Sequence, residues 1–237
     1  MRELNLNRLN NIEVKRNAAN YIVMHFLIRD LKRVISKYAF GKILDVGCGN
    51  KPYEFLFNTA KENYIGSDVV QSSDNVVDIL CLATKIDSAN ESFDTVFSTQ
   101  VIEHVDNTEL MMSECNRVLK KDGIFILSVP FCWELHEEPY DFFRFTKYGL
   151  QELCKRHNFE VLELIPNGGK WAAIFQMNIN MLYSTFKRKN IFIKGLKFLF
   201  MNLHFTSLIN RIAIWADKRF FDPLLTLNYV LVARKKS

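Results

Sequence analysis

The sequence is short of several features that would settle its class at once. Its cysteines are five, Cys48, Cys81, Cys115, Cys132 and Cys154, spread singly with no C-x-x-C and no histidine cluster at zinc-ligand spacing. That pattern argues against a disulfide scaffold and a structural zinc site, and reads as reduced thiols in a cytosolic protein. No metal site is expected. The opening MRELNLNRLNNIEVKR lacks an apolar signal core, so secretion is not expected. The most apolar region, 191–216, is interrupted by Lys194, Lys197 and Arg211. A spanning helix wants about 20 mostly uncharged residues, so this region is not expected to cross a membrane. Charge of one sign is also scarce. The net +5 is carried partly by Lys187-Arg188-Lys189 and Arg234-Lys235-Lys236, which is too mild for a nucleic-acid partner. There is no internal repeat and no low-complexity tract.

What is present is a globular composition, 49% apolar and 24% charged, in a chain of 237 residues, enough for one α/β domain with appendages. Leu27, Leu31, Val34, Ile35 and Tyr38 repeat at helical spacing and predict a helix within 18–40 that stops at Gly41. KILDV predicts a first strand, KPYEFLFNTA a helix capped by Asn50, and NYIGSDV a second strand. NVVDIL and FDTVFST read as the third and fourth strands. A capping box of Asp106 and Glu109 opens a helix to about Lys121, and GIFILSV reads as the fifth strand. Thr146 caps a helix through Arg156, FEVLELI makes the sixth strand and LNYVLVARK the seventh.

Strands alternating with helices imply a doubly wound, mainly parallel seven-stranded sheet in a single domain. Its segments are an N-terminal helical stretch (1–40), a core (41–166), a helical insert (167–226) and the last strand (227–237). The insert, about sixty residues, is far longer than an ordinary connection of about 4–6, and places Leu208, Ile212 and Trp215 on one helix face.

DVGCGN follows the first strand, where doubly wound sheets bind ligands. Gly47 and Gly49 permit positive φ and let backbone N–H groups approach a ligand closely. A dinucleotide fingerprint needs a third glycine at position 52, which is Pro52, and no P-loop is present. Asp45 suits a ligand with an ammonium group, Asp68 the two hydroxyls of a ribose, and Asp78 an exocyclic amine. The ligand so described carries an adenosine, a cation and an amino acid.

From Gly41 to Pro166 the chain resembles the class I S-adenosylmethionine-dependent methyltransferases, within them the type-11-like group. The marks are LDVGCG, Asp68 at the end of strand two, VDILCLATKIDSANESFDTVFSTQVIEHV, and ECNRVLKKDGIFILSVP, where Asp122 stands in place of the family's usual glycine or proline. The resemblance implies a Rossmann-like fold and S-adenosyl-L-methionine as cofactor. It implies that Gly47, Cys48 and Gly49 approach the methionine part, with Asp45 at its ammonium. Asp68 and Val69 would hold the ribose, and Asp78 and Ile79 the adenine. Gln100, Val101, Glu103 and His104 would line the floor near the sulfonium.

For the acceptor, PFCWELHEEPYDFFRFT gathers His136, Glu137, Glu138, Asp141 and Arg144 among Phe131, Trp133, Tyr140, Phe142 and Phe143. Such a mixture suits a pocket for a sugar or similar ring. His136 is the first candidate for the general base, with His104 a second. Against this, Asp141 and Arg144 read equally as a structural ion pair. The pattern also resembles family members of surface-glycan or lipid-linked sugar metabolism, so O-methylation of a glycan-type or lipid-linked acceptor is expected, with a small metabolite such as a quinone precursor as the alternative. A non-catalytic binding protein is the reading from a different class. Phe192, Leu196, Phe198, Leu199, Phe200 and Phe205, mixed with Lys194 and Lys197, suggest peripheral membrane contact through 190–220 at the inner face. A lid or a homodimer surface is the competing reading of the same segment.

Overall fold

The computed structural model describes residues 12–186, 200 and 205–237. Two compact units divide the chain, Asp30–Ile165 with Tyr229–Ser237, and Glu13–Arg29 with Pro166–Asn228.

The first unit is built on the sheet. Strands β1 (Ile43–Val46), β2 (Tyr64–Asp68), β3 (Ile79–Leu80), β4 (Phe93–Thr99), β5 (Leu119–Pro130), β6 (Phe159–Asn167) and β7 (Asn228–Lys235) lie in the order β3-β2-β1-β4-β5-β7-β6. β1 pairs in parallel with both β2 and β4, and β2 with β3 and β4 with β5 are parallel as well. All four residues of β1 are buried, as a central strand covered on both faces requires. The strand order reverses between β1 and β4, which puts the crevice at their carboxyl ends. Helices α1 (Tyr21–Tyr38), α2 (Thr108–Val118) and α3 (Lys147–Arg156) follow the apolar spacing of the sequence. α2 buries Met111, Met112, Cys115 and Val118 in one cluster with Phe125 and Leu127 of β5. Each such fully buried side chain contributes about 1.5–3 kcal/mol.

Four local expectations are corrected. KPYEFLFNTA forms a single 3-10 turn, Glu54–Leu56, instead of a helix, with no side-chain cap at its start. Buried Tyr53 and Phe57 both place their rings against Phe97, 5.7 and 5.2 Å between centroids. Phe57 is then extended, and Thr59 Oγ1 donates to the Gly41 carbonyl, drawing the chain back toward the start of β2. The third strand is only two residues, because side chains satisfy the backbone before it. Gln71 bonds both the N–H and the carbonyl of Val77, and Ser72 Oγ accepts from Val76 N. α2 is capped by Asn107, whose Oδ1 accepts from Leu110 N, while Asp106 accepts from Asn107 N and Glu109 turns to His157 and Arg156. α2 also stops at Val118, since Leu119 pairs with Phe93 in a sheet register that shifts one step later. Asp122 there has φ 59°, the conformation in which glycine costs least. Thr146 does cap α3, accepting from Gly149 N.

The second unit holds α4 (Lys170–Phe186) and α5 (Phe205–Arg219). Buried Asp217 accepts from the N–H groups of Gly169 and Ala172, a carboxylate set at the amino end of α4 where it is most favourable. Gln176 of α4 bonds Val23 N and the Ala19 carbonyl. The face of α5 bearing Leu208, Ile212 and Trp215 is exposed. Its inward residues are Thr206, Asn210, Ala213, Ala216 and Asp217. Phe192, Lys194, Leu196, Lys197, Phe198 and Leu199 lie outside the described residues, whereas Phe200 packs its ring 5.7 Å from that of Phe205. Among the described residues no helix is long and apolar enough to cross a membrane.

Candidate active site

The turn after β1 is a backbone device. Gly47 and Gly49 have φ 76° and 53°, and the N–H groups of Gly47 and Cys48 both donate to the Ser67 carbonyl at 2.8 and 3.0 Å. A Cβ on Gly47 would sit 2.4 Å from Val101 Cγ2, so a side chain there would displace a stiff β-branched neighbour. Asp68, at the end of β2, accepts from Gly49 N through Oδ2 (3.0 Å) and from Val69 N through Oδ1 (2.7 Å). Its carboxylate thereby links the two loops that border the crevice.

A cavity of about 410 Å³ opens there. Gly47, Asp68, Val69, Val101 and His104, all anticipated from the sequence, line it, as do Tyr140 and Phe142 of the acceptor-side segment. Ser67, Leu82 and Thr84 also line it, though no sequence signal marks them individually; Leu82 and Thr84 fall within the adenine-site stretch of the family pattern.

The remaining anticipated residues lie behind this lining. Asp45 is buried and accepts from the Tyr64 hydroxyl at 2.7 Å; burial pushes its carboxyl up to about 7. Cys48 is buried, and desolvation pushes its thiol far above the usual range. Asp78 turns its carboxylate to Lys51 Nζ and Gly66 N, both at 2.6 Å. Ile79 packs on the core cluster, and Gln100, at φ 55°, donates from Nε2 to Ser128 Oγ.

The 131–145 side of the cavity combines backbone and side-chain bonds. Phe142 N and Phe143 N donate to the Glu103 carbonyl at 2.9 and 3.3 Å, fixing the 131–145 segment over the turn that follows β4. Arg144 grips Asp141 with two bonds, 2.6 and 2.7 Å, and Asp141, 1% exposed, also accepts from His136 N. The Arg144 guanidinium holds the Asp141 carboxyl far below the usual carboxylate range. The ion pair anticipated as a structural alternative is thus what delivers His136. The rings of His104 and His136 meet edge to face, with centroids 4.8 Å apart. His104, rather than His136, lines the cavity. Its Nδ1 lies 2.8 Å from the Tyr140 carbonyl, which only accepts, so Nδ1 carries the proton and Nε2 the lone pair. Burial lowers its pKa, which keeps the ring neutral. Glu103 is fully buried and burial raises its carboxyl to about 8.

A parallel sheet reversing at β1/β4, with a glycine turn too tight for a side chain facing a strand-end carboxylate, defines a class I nucleoside-cofactor fold. Residues 44–127 match the family described as a methyltransferase domain. The mitochondrial ubiquinone biosynthesis O-methyltransferase of Mus musculus is 32% identical across 37% of this chain and 28% of its own length. The ubiquinone biosynthesis O-methyltransferase of Bartonella bacilliformis is 24% identical across 62% of this chain and 73% of its own. This chain therefore spans less than a third of the length of the mouse and rat relatives it matches. Among solved structures, the [4+2]-cyclase SpnF superposes with TM-score 0.56 at 17% identity, over 89% of this chain and 80% of that one. A candidate sarcosine dimethylglycine methyltransferase from Galdieria sulphuraria gives 0.55 at 13%, over 96% and 94%. These two likenesses speak for the fold, and the presence of a cyclase among them shows that fold alone does not set the reaction. Over residues 44–127 the chain is similar to the methyltransferase-domain family, and the two solved structures share its fold.

The cavity fits the cofactor of that family. It has the right size for a small-molecule site, a turn cleared of Cβ atoms, and a carboxylate and aromatic rings on its walls.

Proposed function

We propose that the protein O-methylates a small hydroxylated acceptor entering between the glycine turn and the Tyr140–Phe142 rim. The observation that carries this is His104, a neutral imidazole whose Nε2 holds the lone pair, on the wall of the cavity that Gly47 and Asp68 also line. Bound S-adenosylmethionine supplies an activated methyl group on a sulfonium. Asp68 would take the ribose hydroxyls, and the backbone of Gly47 would let the methionine part approach. Tyr140 and Phe142 hold the acceptor ring and exclude water, so alignment supplies much of the rate. The paired imidazoles of His104 and His136 would take up the proton that the acceptor hydroxyl loses on methylation.

Two acceptor classes are favoured by different observations. The relatives named for ubiquinone biosynthesis favour a hydroxylated aromatic ring. The aromatic and charged 131–145 segment favours the hydroxyl of a sugar or lipid-linked glycan. A cytoplasmic location accords with five free thiols, and the exposed face of α5 suits a peripheral membrane or self-contact.

The test is calorimetric titration with S-adenosylmethionine, its demethylated product and NAD, followed by transfer of labelled methyl to hydroxylated-ring and sugar acceptors. Saturable binding of the first two alone, with product from one acceptor class, is the expected result. Binding without transfer to either class would move the protein to the non-catalytic reading.

A further inference from the structure

Methyl transfer by the two imidazoles leaves the side chain of Glu103 unexplained. It is 0% exposed, and neither carboxylate oxygen has a hydrogen-bond partner among the described residues. A buried carboxylate without partners is costly, and such groups are normally paired or bound to a cation. Glu103, His104 and His136 each offer one ligand atom, and these atoms lie within 4.8 Å of one another. His104 Nε2 is 3.9 Å from Glu103 Oε1.

Both rings are set as metal ligands are set. His104 Nδ1 donates to the Tyr140 carbonyl, which leaves Nε2 as the ligating nitrogen. His136 Nδ1 lies 3.2 Å from Asp141 Oδ2 and 3.3 Å from the Glu134 carbonyl, two acceptors against one donor, Arg144 Nη2 at 3.4 Å. That likewise assigns the proton to Nδ1 and the lone pair to Nε2. A carboxylate or carbonyl behind each ring is the usual support for a histidine that binds a metal.

We infer that Glu103, His104 and His136 form a three-ligand site for a divalent first-row transition ion of the zinc type, at the acceptor end of the cavity. Two imidazoles and a carboxylate suit such an ion better than magnesium or calcium, which prefer oxygen ligands. Ligands about 2.1 Å from a tetrahedral ion are about 3.4 Å apart, so the widest pair must close by about 1.4 Å. Sequence spacing carries no sign of the site, because Glu103-His104 and His136 sit on segments joined only by the fold. Three protein ligands leave a position open, and since His104 lines the cavity, an acceptor oxygen can occupy it; with both Nε2 lone pairs on the ion, the ion takes over from the imidazoles the task of acidifying the acceptor hydroxyl. That last step rests on the methyl-transfer reading. The ion site itself does not.

The experiment is titration of the chelator-treated full chain with Co2+ alone, read by visible absorption, with Zn2+ competition. Expected are one equivalent bound, an absorption spectrum of low-coordinate cobalt, displacement by Zn2+, and affinity at least about 10-fold weaker in both His136→Ala and Glu103→Gln. Melting curves and S-adenosylmethionine titration certify that each variant is folded. If Glu103→Gln fails to fold, His136→Ala decides. Absence of saturable binding, or binding unchanged in the folded variants, as an ion at Glu109 and His157 would give, overturns the proposal. No transfer reaction is read, so failure here leaves the methyltransferase reading standing, and the converse holds.

Discussion

The two rims of the cavity are built from different materials. On the cofactor side, the turn of Gly47 and Gly49 and the end of β2 are joined by backbone bonds to Ser67 and to one carboxylate, Asp68. On the acceptor side, two backbone bonds to the Glu103 carbonyl are joined by the Arg144–Asp141 ion pair and two meeting imidazoles, beside the buried Glu103 acid. The first rim should tolerate no added bulk. The second should tolerate no lost partner, because removing half of a buried pair leaves an uncompensated charge.

The sharpest way to break this contrast is Gly47→Ala. The new Cβ meets Val101 at 2.4 Å in a left-handed conformation that costs a non-glycine residue about 1–2 kcal/mol on its own. S-adenosylmethionine affinity is expected to fall by about 100-fold or more by calorimetry, with a lower melting temperature. Near wild-type binding would mean that the turn is not held as close as described.

Arg144→Met is the counterpart on the other rim. It strands the Asp141 carboxylate, 1% exposed, and should cost about 3 kcal/mol in denaturant unfolding while leaving cofactor affinity nearly intact and raising the acceptor KM. In the parent protein Asp141 has its pKa lowered, so the unfolded chain binds its proton first as pH falls. Its contribution is present above about pH 4 and is lost on further acidification.

The same contrast governs how much of the molecule is legible in its sequence. Apolar spacing and glycine positions locate the strands, α3 and the turn after β1, since those signals are local. The segment 51–60 reads as a helix but is not one, because Tyr53 and Phe57 also fit a single turn anchored on Phe97, a residue about forty positions away. Asp106 reads as the cap, but the side chain that accepts from the helix, at Leu110 N, is that of Asn107. On the acceptor rim, spacing offers Asp141 and Arg144 as an ion pair. It cannot bring Glu103 against His136 or show that His104 reaches the cavity, because those meetings depend on how the 131–145 segment lands on the turn after β4.

Asp68→Ala tests the one side chain that the cofactor rim does use. Losing charge-assisted bonds to the ribose, and the acceptor for Gly49 N, should weaken S-adenosylmethionine by about 1–3 kcal/mol. An unchanged affinity would detach Asp68 from the cofactor. A gentler probe is Asp45→Asn. Between about pH 4 and pH 7 the unfolded chain has released this proton while the folded protein keeps it, so stability falls as pH rises across that window and levels off above it. Asparagine can still accept from Tyr64 but does not titrate. Melting temperatures of the variant should therefore decline less across that window.

The smallest effect is expected at Asp78, where the family pattern and the geometry pull apart. The pattern puts this residue at the adenine, but its carboxylate bonds Lys51 and the Gly66 amide and is off the cavity wall. Its side chain is 42% exposed, so solvent screens the pair with Lys51 and holds its worth to about 1 kcal/mol or less. Asp78→Asn keeps an acceptor for Gly66 N and should change S-adenosylmethionine affinity by less than about 3-fold. A loss of about 10-fold or more, with stability unchanged, would mean that the carboxylate swings from Lys51 to the ligand on binding. Asp78 would then join Asp68 as a second side chain on a rim otherwise made of backbone, and the contrast between the two rims would narrow by that one residue.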